Sequence, residues 1–189
     1  IWNLHAYQYN SEMSTMIVET TEKTWKKAGM ENASEDETVA YVSNLYADLL
    51  DGHPIITNRS VWRNFPMIRC ETWVKDNLVI MGDCAHTAHY SIGSGTKLAM
   101  EDAIALFECC KHEANPSEAL KLYDASRRDE VERTQHAADV SLSWFENVRR
   151  YWGMDPVQFN FSLMSRSKAI TYDNPVSYTH LTLPTSSWV

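Results

Sequence analysis

Two early stretches alternate apolar and polar residues with period two. From Leu4 to Tyr9, His5, Tyr7 and Tyr9 fall on one face and Leu4, Ala6 and Gln8 on the other; Ser14 to Thr20 alternates again. The polar Asn10-Ser11-Glu12 between them predicts a hairpin. A short helical run from Glu22 to Ala28, centred on Trp25, is stopped by Gly29. Ser34-Glu35-Asp36-Glu37 has the form of a capping box. It opens a helix through Val39, Val42, Leu45, Tyr46 and Leu49 that Asp51-Gly52 stops. Ile55 to Cys70, interrupted at Pro66, shows neither period.

Glu71 to Met81 predicts strand, turn at Lys75-Asp76-Asn77, and strand. Its last part, Leu78-Val79-Ile80-Met81, has the length and branching of a buried strand. The apolar pattern stops at Gly82-Asp83. A polar loop follows, with Gly93 and Gly95 around Ser94. Thr96 to Lys111 then reads as a helix with apolar residues on nearly every side, which predicts burial. Asn115-Pro116-Ser117-Glu118 is a second start signal, with an Asn cap and Pro at the first helical position. The long segment after it keeps helical spacing through Leu142, Phe145, Val148 and Tyr151 or Trp152, up to Gly153 and Pro156. Strands and helices in this order predict an α+β chain.

Composition narrows the picture. At 189 residues, 44% hydrophobic and 22% charged, the chain has enough apolar content for a packed core. A net charge of −8 without a Lys/Arg cluster argues against a nucleic-acid surface. No stretch is apolar enough to predict a membrane span. The four cysteines, Cys70, Cys84, Cys109 and Cys110, form no CxxC pair. Adjacent Cys109-Cys110 on a buried helix predict small apolar fillers in a reducing, cytoplasmic compartment. The chain begins at Ile1, which predicts that the natural N-terminus lies elsewhere. The stretch 176–189, VSYTHLTLPTSSWV, changes character abruptly and is expected to be non-native.

Chemistry concentrates between Val79 and Ala103. A strand that ends in a glycine loop and enters a helix points unpaired backbone N–H groups at whatever lies before the helix. The dipole makes that end positive. An anion or electron-rich group binds there without a Lys or Arg, and glycines let the backbone approach it. Asp83 stands where it could accept hydrogen bonds from sugar-like hydroxyls. Lys97 at the helix start is electrostatically unfavourable unless an anion is near, or unless it simply points to solvent. Cys84, His86 and His89 are spaced so that they could hold zinc if a fourth ligand joined them. A tight turn between packed elements is the plainer alternative for the whole stretch.

Gly82-Asp83-Cys84-Ala85-His86, then Gly95, then Asp102-Ala103, resembles the second flavin motif of the single-component FAD-dependent aromatic hydroxylases. The variant HTAHYSIGSGTKLAMEDAIAL is similar to the flavin domain of the salicylyl-CoA 5-hydroxylase and 2-aminobenzoyl-CoA monooxygenase group. The similarity runs from about Ile1 to Asn174. It includes Tyr123-Asp124-Ala125-Ser126-Arg127-Arg128, which matches a Tyr-x-x-x-Arg-Arg run with Asp129 in place of the usual Pro. Many members carry Pro-Pro after the His and Asn near the helix start; here His89-Tyr90 and Lys97 stand there.

The resemblance implies a partial hydroxylase fold. Residues 1–66 would be part of a substrate-binding sheet domain, and 67–112 the C-terminal part of an FAD-binding domain. Residues 113–175 would form a C-terminal helical segment. Gly82, Asp83, Gly93, Gly95, Thr96 and Lys97 would meet FAD, with Asp83 on the ribityl chain. His89, facing the substrate side, is the catalytic candidate, and His86 is mainly structural. The activity implied is hydroxylation of an aromatic substrate, an aryl-CoA thioester in the CoA-ester branch. NAD(P)H would be the reductant, O2 the oxidant, and a flavin C4a-hydroperoxide the oxygen donor. No GxGxxG occurs in the sequence, so the chain is expected to be a fragment that binds FAD poorly by itself. Two other readings stay open: another FAD-superfamily enzyme, such as a halogenase or reductase, and a non-catalytic module binding a partner through its seven Trp residues.

Overall fold

The computed structural model describes residues 1–167, so the expected tail 176–189 lies outside the described residues. The chain falls into two compact units, Ile1–Asn64 and a second beginning at Phe65.

The first unit holds the predicted hairpin. Strands β1 (Trp2–Gln8) and β2 (Ser14–Thr20) pair antiparallel, with Leu4 opposite Val18 and His5 opposite Ile17. Helix α1 spans Glu22–Lys27, and Gly29 leaves it at φ 75°. Helix α2 (Glu35–Leu45) starts from the full capping box: Ser34 Oγ accepts the Glu37 N–H, and Glu37 accepts the Ser34 N–H. The predicted single helix breaks at Tyr46, whose ψ of 26° leaves the helical range, and a short α3 (Ala47–Leu50) follows. Residues 53–68 form no helix or strand. Trp2 packs its ring on Tyr41 and Trp62, at 5.4 and 5.7 Å between centroids.

The second unit carries the core: Trp73, Ala85, Ala88, Leu98, Tyr123, Val131 and Ala138. Its hairpin is shorter than predicted. Strands β3 (Val74–Lys75) and β4 (Leu78–Val79) are two residues each, turned at Asp76 with φ 55°. The expectation of a fully buried strand fails at Leu78, which is 70% exposed. The two-residue ladder leaves Leu78 outward, and the three half-buried residues after it, Val79, Ile80 and Met81, supply the contacts with the core.

Helix α4 (Gly95–His112) and the 31-residue α5 (Pro116–Glu146) pack along one another. The prediction that α4 is buried all round also fails. Leu98 and Asp102 are buried, whereas Met100, Ile104 and Phe107 are each 62% exposed. One neighbouring helix covers one stripe of a cylinder, and these three residues, at i, i+4 and i+7, form another. Cys109 is half-buried but Cys110 is exposed, contrary to the filler role expected of both. Pro156 does not only end the preceding segment. It opens α6 (Pro156–Ser165), which docks through Trp144 Nε1 donating to Ser162 Oγ at 2.9 Å. Among the described residues, no helix is long and apolar enough to cross a membrane.

Candidate functional site

The polar loop between β4 and α4 is built from two short 3-10 turns, Gly82–Cys84 and Tyr90–Ile92. Gly82 leaves the hairpin at φ +58°, a conformation that favours glycine, and a Cβ placed there would stand 3.2 Å from Ala99 Cβ of α4. The sequence therefore needs glycine at this point twice over, for backbone angle and for close packing on the helix. Asp83, the next residue, is exposed. Gly93 closes the second turn at φ +65°.

Ser94 is the residue before α4, and its side chain makes no cap; its hydroxyl donates instead to the Ile92 carbonyl. The first intrahelical bond runs from Leu98 N–H to Ser94 O. Gly95, Thr96 and Lys97 thus bring the unpaired amide end of the helix to the loop. Thr96 and Lys97 are exposed, and a Cβ added at Gly93 or Gly95 would meet nothing within 4 Å. The turn is open, not sealed by its own side chains. Lys97 Nζ lies 2.5 Å from Glu101 and 3.7 Å from Glu130, so its charge is balanced along the helix surface.

Behind this open end lies a buried polar cluster that the sequence reading did not place. Asp102 Oδ2 accepts the Gly82 N–H at 2.9 Å and His86 Nε2 at 2.7 Å, while Oδ1 accepts Arg127 Nε at 3.0 Å. A carboxylate only accepts, so His86 carries its proton on Nε2. Burial by itself would raise the Asp102 carboxyl. Hydrogen bonds from His86, Gly82 and Arg127 outweigh that and hold it below the usual carboxylate range. Burial works against the Arg127 charge as well, and Asp102 with Glu101 more than restore it. Burial and then the Asp102 charge push the Tyr123 hydroxyl up. Trp73 covers the cluster, with its ring 5.0 Å from His86 and the Arg128 guanidinium 4.8 Å from its own centroid.

Helix α5 supports the loop from the other side through its inward stripe, three members of which are polar. Arg127 holds Asp102. Gln135 Nε2 donates to the carbonyls of Ile68 and Thr87, both at 2.8 Å. The Ser141 hydroxyl meets that of Ser91 at 2.8 Å. Residues 68–70 run antiparallel to 85–87 through Cys70 N–H to Ala85 O and Thr87 N–H to Ile68 O. At the far end Arg166 donates to the Ser91 carbonyl and to Ser141 Oγ.

His89, the catalytic candidate from sequence, is 3% exposed. Its Nδ1 accepts the Ser91 N–H at 3.4 Å and sits 2.9 Å from Ser91 Oγ; the ring packs edge-on to Phe65. The spacing that suggested zinc does not translate into a shell. His86 is bound to Asp102, Cys84 is exposed, and no group of three potential ligands converges among the described residues. Of the residues singled out from sequence, Asp83, Gly93, Thr96 and Lys97 are exposed, Gly95 is half-buried at the helix start, and Gly82 is buried against α4. The sequence reading missed the fastening beneath them, although a charged Asp102 four residues from Leu98 on the packed face of α4 was a signal for it.

Comparison with known proteins supplies the context for this loop. Residues 7–138 match the FAD binding domain family. Salicyloyl-CoA 5-hydroxylase of a Streptomyces sp is 44% identical over 179 residues, covering 88% of this chain and 34% of that protein. The 3-hydroxy-4-methyl-anthranilyl-[aryl-carrier protein] 5-monooxygenase of Streptosporangium sibiricum is 40% identical, covering 76% of this chain and 37% of that protein. Protodeoxyviolaceinate monooxygenase of Chromobacterium violaceum is 32% identical, over 90% and 46% respectively. The chain spans between about a third and a half of the length of these relatives.

Proposed function

The chain belongs to the FAD binding domain family, and from that premise we propose that it is part of an FAD-dependent monooxygenase that hydroxylates an aromatic ring. The observation that carries this reading is the uncapped N-terminus of α4 beside Gly93 and Gly95, with the exposed Asp83 on the turn packed against the same helix. The residues fit the flavin in kind. Asp83 would hold the ribityl chain by accepting hydrogen bonds from its hydroxyls. The amides of Gly95, Thr96 and Lys97 would hold the electron-rich part of the ring system. The helix end would stabilise negative charge there without reorganising during the reaction. Bound FAD supplies two-electron reduction and oxygen activation; the chain's own residues bind it, orient it and hold the charge.

Within this reading, residues 1–66 belong to a substrate-binding sheet, 67–112 to the FAD-binding domain and 113–175 to a helical segment behind it. NAD(P)H is the reductant and O2 the co-substrate. The names of two relatives, one acting on a CoA ester and one on an aryl-carrier protein, support an aromatic acyl thioester as substrate. His89 is the candidate proton-transfer group. With Nδ1 accepting from Ser91, the neutral ring holds its proton on Nε2.

The test uses the full-length protein that carries this chain. FAD binding is followed by titration, flavin reduction by NADH and by NADPH, and product formation with salicyloyl-CoA against free salicylate. Stoichiometric FAD with oxygen-dependent hydroxylation of the thioester is expected. A protein that binds no FAD overturns the reading. His89→Asn is expected to remove one limb of the pH profile of kcat; an unchanged profile removes His89 from the proton-transfer role.

A further inference from the structure

We infer that Asp102 is a positioning residue for the flavin site: its carboxylate fixes the Gly82-Asp83 turn against α4, and so sets where the Asp83 carboxylate stands relative to the open amides at Gly95–Lys97. The inference rests on the flavin reading above. Asp102 itself is 0% exposed and lies on the packed face of α4, so it acts through other groups and not on a ligand.

Three bonds carry the inference, and they come from three separate parts of the chain. The Gly82 N–H reaches Oδ2 from the end of the β-hairpin, His86 reaches the same oxygen from the loop, and Arg127 reaches Oδ1 from α5. Gly82 is adjacent to Asp83 in the chain, so the Gly82–Asp102 bond is one covalent step from the proposed ribityl contact. It ties that step to the body of the helix whose first turn forms the other half of the site. Without it, the Gly82 N–H would lose its bond to α4, and the turn at φ +58° would keep its fit against Ala99 and the bonds from the Ala85 and His86 N–H groups to its own carbonyl. The cluster also reaches the helix mouth along the surface. Arg127 Nη2 donates to Glu101 at 3.1 Å, and Glu101 pairs with Lys97. One buried carboxylate therefore holds both sides of the opening in register.

A buried charge that loses its partner destabilises a fold for reasons unrelated to position, so no arm of the test leaves either charge of the pair without the other. In the full-length protein, Asp102→Asn with Arg127→Met keeps a carbonyl oxygen able to accept from Gly82 and His86. Asp102→Leu with Arg127→Met removes that acceptor while stranding no charge. Both are measured for thermal midpoint, FAD Kd and the visible absorption and fluorescence of bound flavin. The Leu form loses the acceptor for both Gly82 and His86 and is expected to bind FAD about three- to tenfold more weakly than the Asn form, with a shifted flavin band. Equal affinity and identical spectra in the two forms overturn the inference. Should the Leu form not fold, Asp102→Glu keeps Arg127 paired and displaces the acceptor by one methylene. Weaker FAD binding with an altered band then supports positioning, and native affinity and band reject it. The two ideas fail differently: wild-type protein without FAD sinks the flavin reading, whereas flavin binding indifferent to Asp102 sinks only this one.

Discussion

Arg127 Nε donates to Asp102 Oδ1 at 3.0 Å with both side chains withdrawn from water, Arg127 8% and Asp102 0% exposed. The pair spans 25 residues of sequence and joins α4 to α5. Removing the cation leaves a carboxylate in the core that keeps hydrogen bonds from Gly82 and His86 but loses its guanidinium partner. Arg127→Ala is therefore expected to lower stability by about 3–5 kcal/mol. The denaturant midpoint measures it; a loss under about 1 kcal/mol would mean that water reaches Asp102 in solution.

The same carboxylate predicts an acid limb. Its folded pKa lies below the unfolded value, which is about 3.9 for Asp. Its contribution is therefore complete above the unfolded value and is lost as pH falls through the folded one. Stability followed by urea unfolding between neutral pH and about pH 2 should fall along this limb. In the double variant Asp102→Asn with Arg127→Met the limb should flatten. An unchanged acid limb assigns it to other carboxylates.

Gly82→Ala meets two obstacles at once. The left-handed backbone costs an ordinary residue roughly 1–2 kcal/mol. The added methyl also presses on Ala99 at 3.2 Å, so the turn or the helix must shift by a few tenths of an ångström. Thermal unfolding should show the loss, and FAD affinity should fall with it if the turn positions Asp83. A neutral Gly82→Ala would show that the turn is free to change its backbone angles.

The stripe of Met100, Ile104 and Phe107 on α4 makes a different prediction. Three large apolar side chains, each 62% exposed on one helix face, favour association of this 189-residue chain with itself. Ile104→Lys with Phe107→Lys should reduce association in sedimentation velocity and change stability by no more than about 0.5 kcal/mol per site. A large stability loss would show instead that the stripe is packed within the folded chain.

Local chemistry was legible in the sequence wherever a few neighbouring residues settle the outcome. The capping box at Ser34–Glu37, the Asn115-Pro116 start of α5, the Asn10 turn of the β1–β2 hairpin and the glycine stop at Gly29 depend on bonds within four or five residues, and all of them form. The succession of strand end, glycine loop and helix start between Val79 and Thr96 was equally readable, because these features are consecutive in the chain. Burial was not readable in the same way. Composition suggested that α4 is covered on every side, but how much of a helix is covered depends on which elements lie against it, and α5 takes only one stripe. The partners of Asp102 were hidden for the same reason. A carboxylate among apolar residues announces a need for donors, yet Gly82 stands 20 positions before it and Arg127 25 after it, and only the packing of α4 on α5 and on the Gly82 turn brings their hydrogens to its two oxygens.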